Sequence, residues 1–207
     1  MSLDTFDNLK KEIIDWSHRS DIDLKVDTFI KMAEQDMFAN PDEILRVRGQ
    51  ETRSTATVDG QFLALPDDFQ SMRGLSIAAA GGDVNLVMKA PSQITTKPTT
   101  GLPNSFTVTS QIEFDRVPDS GYVATIQYYA IPTPLSSSNQ TNDILTKFPN
   151  IYLFGALSAV FMWAGDQEQY ATAYRSYISA IKGANKKDKQ GRYGPSPSMT
   201  IVDRSIA

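Results

Sequence analysis

The stretch TRSTATVDGQFLALPDDFQSMRGLSI, residues 52–77, is where the chain changes its period. Before it, apolar residues recur every three or four positions. Inside it, Thr and Val dominate up to Val58, and the apolar runs are cut by Asp59-Gly60 and by Pro66-Asp67-Asp68. Short β-branched runs bounded by turn residues read as strands. Asp59-Gly60 between two such runs reads as a hairpin turn. The adjacent carboxylates Asp67 and Asp68 follow a proline, which presets φ, and an Asp side chain bonds nearby backbone N–H groups. The pair therefore reads as a turn. Acid–base work would need a second charged cluster, a histidine or a metal-ligand set beside it.

Upstream, Phe6, Leu9, Ile13 and Trp16 make one helical stripe, with Asp4 or Thr5 as its cap. Ile22, Val26, Phe29, Ile30, Ala33 and Met37 make a second, capped by Ser20 or Asp21. Asn40-Pro41 predicts the start of a third short helix, closed by Gly49. Downstream, strands are expected at 72–77, 84–88, 105–109, 112–114 and 122–130, with Gly81-Gly82 and Pro118-Asp119-Ser120-Gly121 among the turns between them, and one helical turn at 91–95. Residues 133–142 read as a linker. Short and long helices follow at 143–148 and 149–163, then a break at Gly165, a cap at Asp166, and a last helix striped by Tyr170, Ala173, Tyr174, Tyr177, Ile178 and Ile181. The fold class is thus α+β. Residues 1–49 and 143–183 form a discontinuous helical bundle, 50–132 an inserted antiparallel β domain, and 184–207 an extended C-terminal arm.

Composition narrows the chemistry. The 207 residues carry 20 Lys and Arg against 24 Asp and Glu, a mildly acidic balance that argues against duplex nucleic acid as a tightly bound partner. The chain has no cysteine, which removes disulfides and thiolate chemistry and suits folding in a reducing cytoplasm. No signal peptide is expected from MSLDTFDNLKK, and the longest apolar run, 151–164, is too short to cross a bilayer. His18 is the only histidine and reads as a helix-end residue. No metal or cofactor site is expected, because no multi-His set, calcium-loop spacing or phosphate-cradling glycine motif occurs. Glu113 and Asp115 share a strand face and, with Asp67 or Asp68, are the carboxylates from which a glycan hydrolase would be built. The plainer reading of the Glu113 and Asp115 face is an exposed strand edge. Tyr122, Tyr128, Tyr129 and Phe114 read as strand aromatics, with Tyr128 and Tyr129 on opposite faces.

The end of the chain is unusual. Lys186, Lys187, Lys189 and Arg192 cluster ahead of Gly194-Pro195-Ser196-Pro197, and Met199, Ile201, Val202 and Ile206 are apolar in a segment with no core of its own. Lys186, Lys187, Arg192, Met199, Ile201, Val202 and Ile206 are therefore the candidate partner-binding residues. Such an arm docks by strand addition or in a groove.

The ordered set IIDWSHRSDIDLKVDTFIKMAEQDM (13–37), FLALPDDF (62–69), GLPNSFTV (101–108) with IQYYAIPTPLS (126–136), and TNDILTKFPNIYLFGALSAVF (141–161) resembles the head-to-tail adaptor (connector) proteins of tailed bacteriophages, in particular the tail tubular protein A type of short-tailed phages. The resemblance implies a structural virion protein without enzymatic activity. It implies a twelve-subunit ring between the portal protein and the tail nozzle protein, assembled in the host cytoplasm, through which double-stranded DNA passes without specific binding. It involves no membrane. A monomeric binding module and a glycan hydrolase of a phage tail are the alternative readings.

Overall fold

The computed structural model describes residues 3–94 and 100–193. The chain divides into two compact units, one from the segments up to Arg48 and from Pro134 onward, the other from Gly49–Thr133.

The first unit is helical. Helix α1 (Phe6–Ser17) is capped by Thr5, whose Oγ1 accepts from Asn8 N at 3.2 Å. It ends at His18, held at φ 53°. Helix α2 (Val26–Ala39) has no side-chain cap and is entered through a 3₁₀ turn, Asp23–Lys25. Asp21, expected as a cap, is instead gripped by Arg19 through two bonds of 2.9 and 2.7 Å. Helix α3 (Asp143–Lys147) is capped by Asn142. Helix α4 (Pro149–Ala164) starts on a proline and ends on Gly165 at φ 75°. It is apolar nearly all round and sits at the centre, packed by α1, by α2 and by helix α5 (Gln167–Tyr193). At Gly155 a Cβ would lie 3.0 Å from both Ala33 Cβ and Tyr177 Cε2, so the glycine is required by the close approach of α2 and α5.

Three expectations fail here. Residues 41–47 form no helix; Asn40 Oδ1 accepts from Asp42 N and Glu43 N, and the following residues form no regular element before the 3₁₀ turn at Arg48–Gln50. The segment from 184 is not an arm from its start, since α5 continues to Tyr193. The two corrections share a cause. Leu45 and Val47 point into the core, while Arg46 N donates to Asn185 Oδ1 at 2.9 Å and Arg48 N to Asp188 Oδ1 at 2.9 Å. The last turns of α5 thus pair with the backbone of 44–48 in place of an intra-helical ladder. Third, residues 134–142 pack as part of this unit: Leu135 is 1% exposed, and Gln140 O accepts from Phe6 N.

Among its described residues the second unit holds eight strands: β1 (Glu51–Val58), β2 (Phe62–Leu63), β3 (Phe69–Ala79), β4 (Gly82–Asn85), β5 (Val87–Met88), β6 (Ser105–Val108), β7 (Ile112–Phe114) and β8 (Tyr122–Ala130). They form two four-stranded sheets, ordered β1-β8-β3-β4 and β2-β7-β6-β5. Leu75, Ile77, Ala124 and Ile126 from the first pack with Phe106, Ile112 and Phe114 from the second. Asp59-Gly60 does not close a β1–β2 hairpin. All eight residues of β1 pair with β8, and the chain crosses at Asp59–Gln61 into the other sheet, where β2 pairs β7. The expected strand 84–88 is split the same way. Leu86 N bonds Leu75 O, and β5 then pairs β6 in parallel, whereas the other pairs among the described residues are antiparallel.

Candidate functional site

Asp67 and Asp68 occupy a turn. Phe69 N donates to Pro66 O at 3.0 Å across them. Asp68 also anchors the end of β8, accepting from the Tyr128 hydroxyl at 2.7 Å while its carbonyl accepts from Ile131 N at 2.8 Å. Burial first, and Asp68 second, push the Tyr128 hydroxyl up to about 12.

Glu113 and Asp115 do not form an exposed pair. Asp115 lies beyond the end of β7, is 7% exposed, and accepts from Asn104 N at 3.0 Å and Ser105 N at 3.3 Å, tying down the loop before β6. Glu113 accepts from Gln61 Nε2 at 3.4 Å. Among the described residues, no group of three or more His, Cys, Asp or Glu is placed to hold a metal ion, and no helix is long and apolar enough to cross a membrane. Phe114 and Tyr128 are core residues. Tyr129, on the opposite face of β8, lies under the Arg73 guanidinium at 5.6 Å.

The candidate partner-binding residues begin on α5. Lys186 and Lys187 are exposed there, with Lys182 and Lys189 beside them. Arg192 falls within the helix, and its side chain, like Met199, Ile201, Val202 and Ile206, lies outside the described residues.

Two surfaces of the helical unit had no signal in the sequence reading. One is a groove of about 640 Å³ between α5 and the start of α4. Its floor is Phe148 and Phe154, both half-buried, with Ala180 and Ala184; its rim carries Lys147, Arg175 and Lys187. Lys147 is held by Asp143 at 2.7 Å, so among the described residues the unpaired positive charge of the rim rests on Arg175 and Lys187. The other is an apolar end at the last turn of α4, where Met162 and Trp163 are 50% and 44% exposed. Arg19 and Lys25 stand over the Trp163 ring at 5.3 and 4.1 Å. Exposed large apolar side chains grouped in this way mark protein contact surfaces.

Inside the same unit lies a polar knot. Glu34, 8% exposed, accepts from Leu135 N at 2.8 Å and from the Tyr152 hydroxyl at 3.0 Å; that hydroxyl accepts from Asn142 Nδ2 at 2.7 Å. Burial raises the Glu34 carboxyl above its ordinary range, against the lowering effect of these donors. Both α2 and α4 are thereby tied to the segment entering α3.

The architecture is a framework with contact surfaces: two separately cored units, a basic helix end and a groove. No curated protein matches the chain. The family model of the SU10 adaptor protein matches residues 4–199, nearly the whole of the 207, and the chain belongs to this family of phage adaptors.

Proposed function

We propose that this structural phage adaptor forms a ring, with twelve copies beneath the portal, that joins the portal vertex to the tail nozzle and continues the DNA channel. The observation that carries the reading is the family match over residues 4–199. The division into two units supports it, since a bridge needs a different surface for each neighbour. In this reading the helical unit meets the portal and adjacent copies, and the β unit points towards the tail. The ring contacts are heterologous, one patch of each copy against a different patch of the next. The C-terminal residues Arg192, Met199, Ile201, Val202 and Ile206, with Lys186 and Lys187, serve docking, and likeness to tail tubular protein A extends to this lacing role. The net charge of -4 suits a channel that lets double-stranded DNA slide without gripping it.

Native mass spectrometry of the chain mixed with the portal ring of the same genome tests the reading. A complex with one adaptor per portal subunit is expected. A chain that stays monomeric and unbound beside an intact portal ring would overturn it.

A further inference from the structure

We propose that the groove between α5 and the start of α4 is the seat of the chain's own C-terminal segment, residues 199–206, folded back along α5 before assembly. The proposal rests on the docking role of that segment proposed above, and not on the ring.

Reach is the first argument. The segment leaves α5 at Tyr193, six residues past Lys187, which is about 9 Å along the helix axis. Residues 194–198 read Gly-Pro-Ser-Pro-Ser, a turn-forming sequence whose extended span of about 16 Å covers that return. The groove then runs along α5 from Lys187 to Arg175, about 18 Å, and eight extended residues, 199–206, span about 26 Å.

Chemistry is the second. Period-two alternation puts Met199, Ile201 and Asp203 on one face of an extended segment. Run back from Tyr193, that face brings the two apolar side chains over Phe148 and Phe154 first and the carboxylate towards Arg175 last. The groove offers Lys187 at its near end, an aromatic floor, and Arg175 at its far end on α5, and among the described residues no carboxylate lines it.

Gly183 is the third. It stands in the middle of α5 on the groove side, and among the described residues a Cβ there would meet nothing within 4 Å. A glycine inside a helix is destabilising, and unlike Gly155 this one has no packing neighbour that requires it. A backbone laid close against α5 does require it.

The absence of cysteine makes the test direct. Ser179→Cys and Ile201→Cys are introduced together in the full chain, and the free protein is oxidised under mild conditions. An intramolecular disulfide, seen as a faster-migrating monomer, is expected, and neither single variant gives it. Gly183→Leu, which fills the groove with a good helix former, lowers the yield several-fold. Arg175→Glu lowers it too, and Asp203→Arg added to Arg175→Glu restores it. A ladder of intermolecular disulfides would overturn placement on the same chain while keeping the segment a docking element. No cross-link in a folded double variant, or a yield indifferent to Gly183→Leu, would overturn the proposal outright. Portal binding of the same variants reads the ring hypothesis separately.

Discussion

Glu34 shows what a single residue contributes in this protein. Its carboxyl holds the N–H of Leu135 and the hydroxyl of Tyr152, groups far apart in sequence, and burial raises its pKa above the ordinary 4.5. Below that value the carboxyl is protonated whether the chain is folded or not, and ionisation costs nothing. As pH rises through 4.5, the unfolded chain releases a proton that the folded chain retains, so stability falls until the folded carboxyl ionises too. Glu34→Gln keeps an acceptor oxygen and removes the titration. Its denaturant midpoint should therefore lose less than the parent's as pH rises above 4.5. Glu34→Ala leaves two buried donors unpaired and should cost about 2 to 3 kcal/mol near pH 4, and less as pH rises and the parent weakens. A parallel pH profile for the parent and Glu34→Gln would show that the carboxyl titrates alike in the folded and unfolded chain and is not raised by burial. None of this was legible beforehand. Glu34 sits inside the apolar arc of Ile30, Ala33 and Met37, but nothing in the sequence names partners more than a hundred positions away.

At the scale of the elements, what could be read was local and what could not was pairing. The turn at Pro66-Asp67-Asp68 was legible because proline and aspartate carry their own backbone preferences, and so were the ends of α4 at Pro149 and Gly165. The Asp59-Gly60 hairpin failed because β1 found a full-length partner in β8, a choice set by the core and not by the turn. The false helix at 41–49 and the missed end of α5 are two sides of one contact. Asn185 and Asp188 occupy buried positions of α5 where an apolar stripe would have announced a helix, and they are polar because they bond the backbone at Arg46 and Arg48. Asn185 Nδ2 also donates to Ile44 O at 2.9 Å and to Glu43 Oε1 at 2.7 Å. Asn185→Ala should cost about 2 kcal/mol, because it strands a half-buried N–H and a carbonyl. Asp188→Ala should cost a similar amount, since it frees both Arg48 N and Arg48 Nε. The double variant should cost less than the sum, as removing one anchor loosens the segment that the other holds. Urea unfolding of the three variants checks this; strict additivity would mean that the two side chains hold the segment independently.

For the whole molecule, the decisive fact is that each unit has its own core. The β unit is inserted, yet its entry and exit are neighbours: Glu51 at the start of β1 pairs with Tyr129 near the end of β8. Directly paired antiparallel residues have Cα atoms about 5 Å apart. Replacing 49–133 by a short Gly/Ser linker should therefore leave the helical unit folded, since closing a short loop adds little strain or entropy cost. If the helical unit is the portal-facing half, this shortened chain should still bind the portal ring with the parent's stoichiometry in native mass spectrometry. It should fail to recruit the tail nozzle, for which the β unit would be the contact. The excised segment 49–133 should in turn give a dispersed amide spectrum on its own. A shortened chain that folds but no longer binds the portal would reverse the assignment and move the portal contact to the β unit. One that recruits the nozzle undiminished would place both contacts on the helical unit, and the two-ended bridge would have to be abandoned.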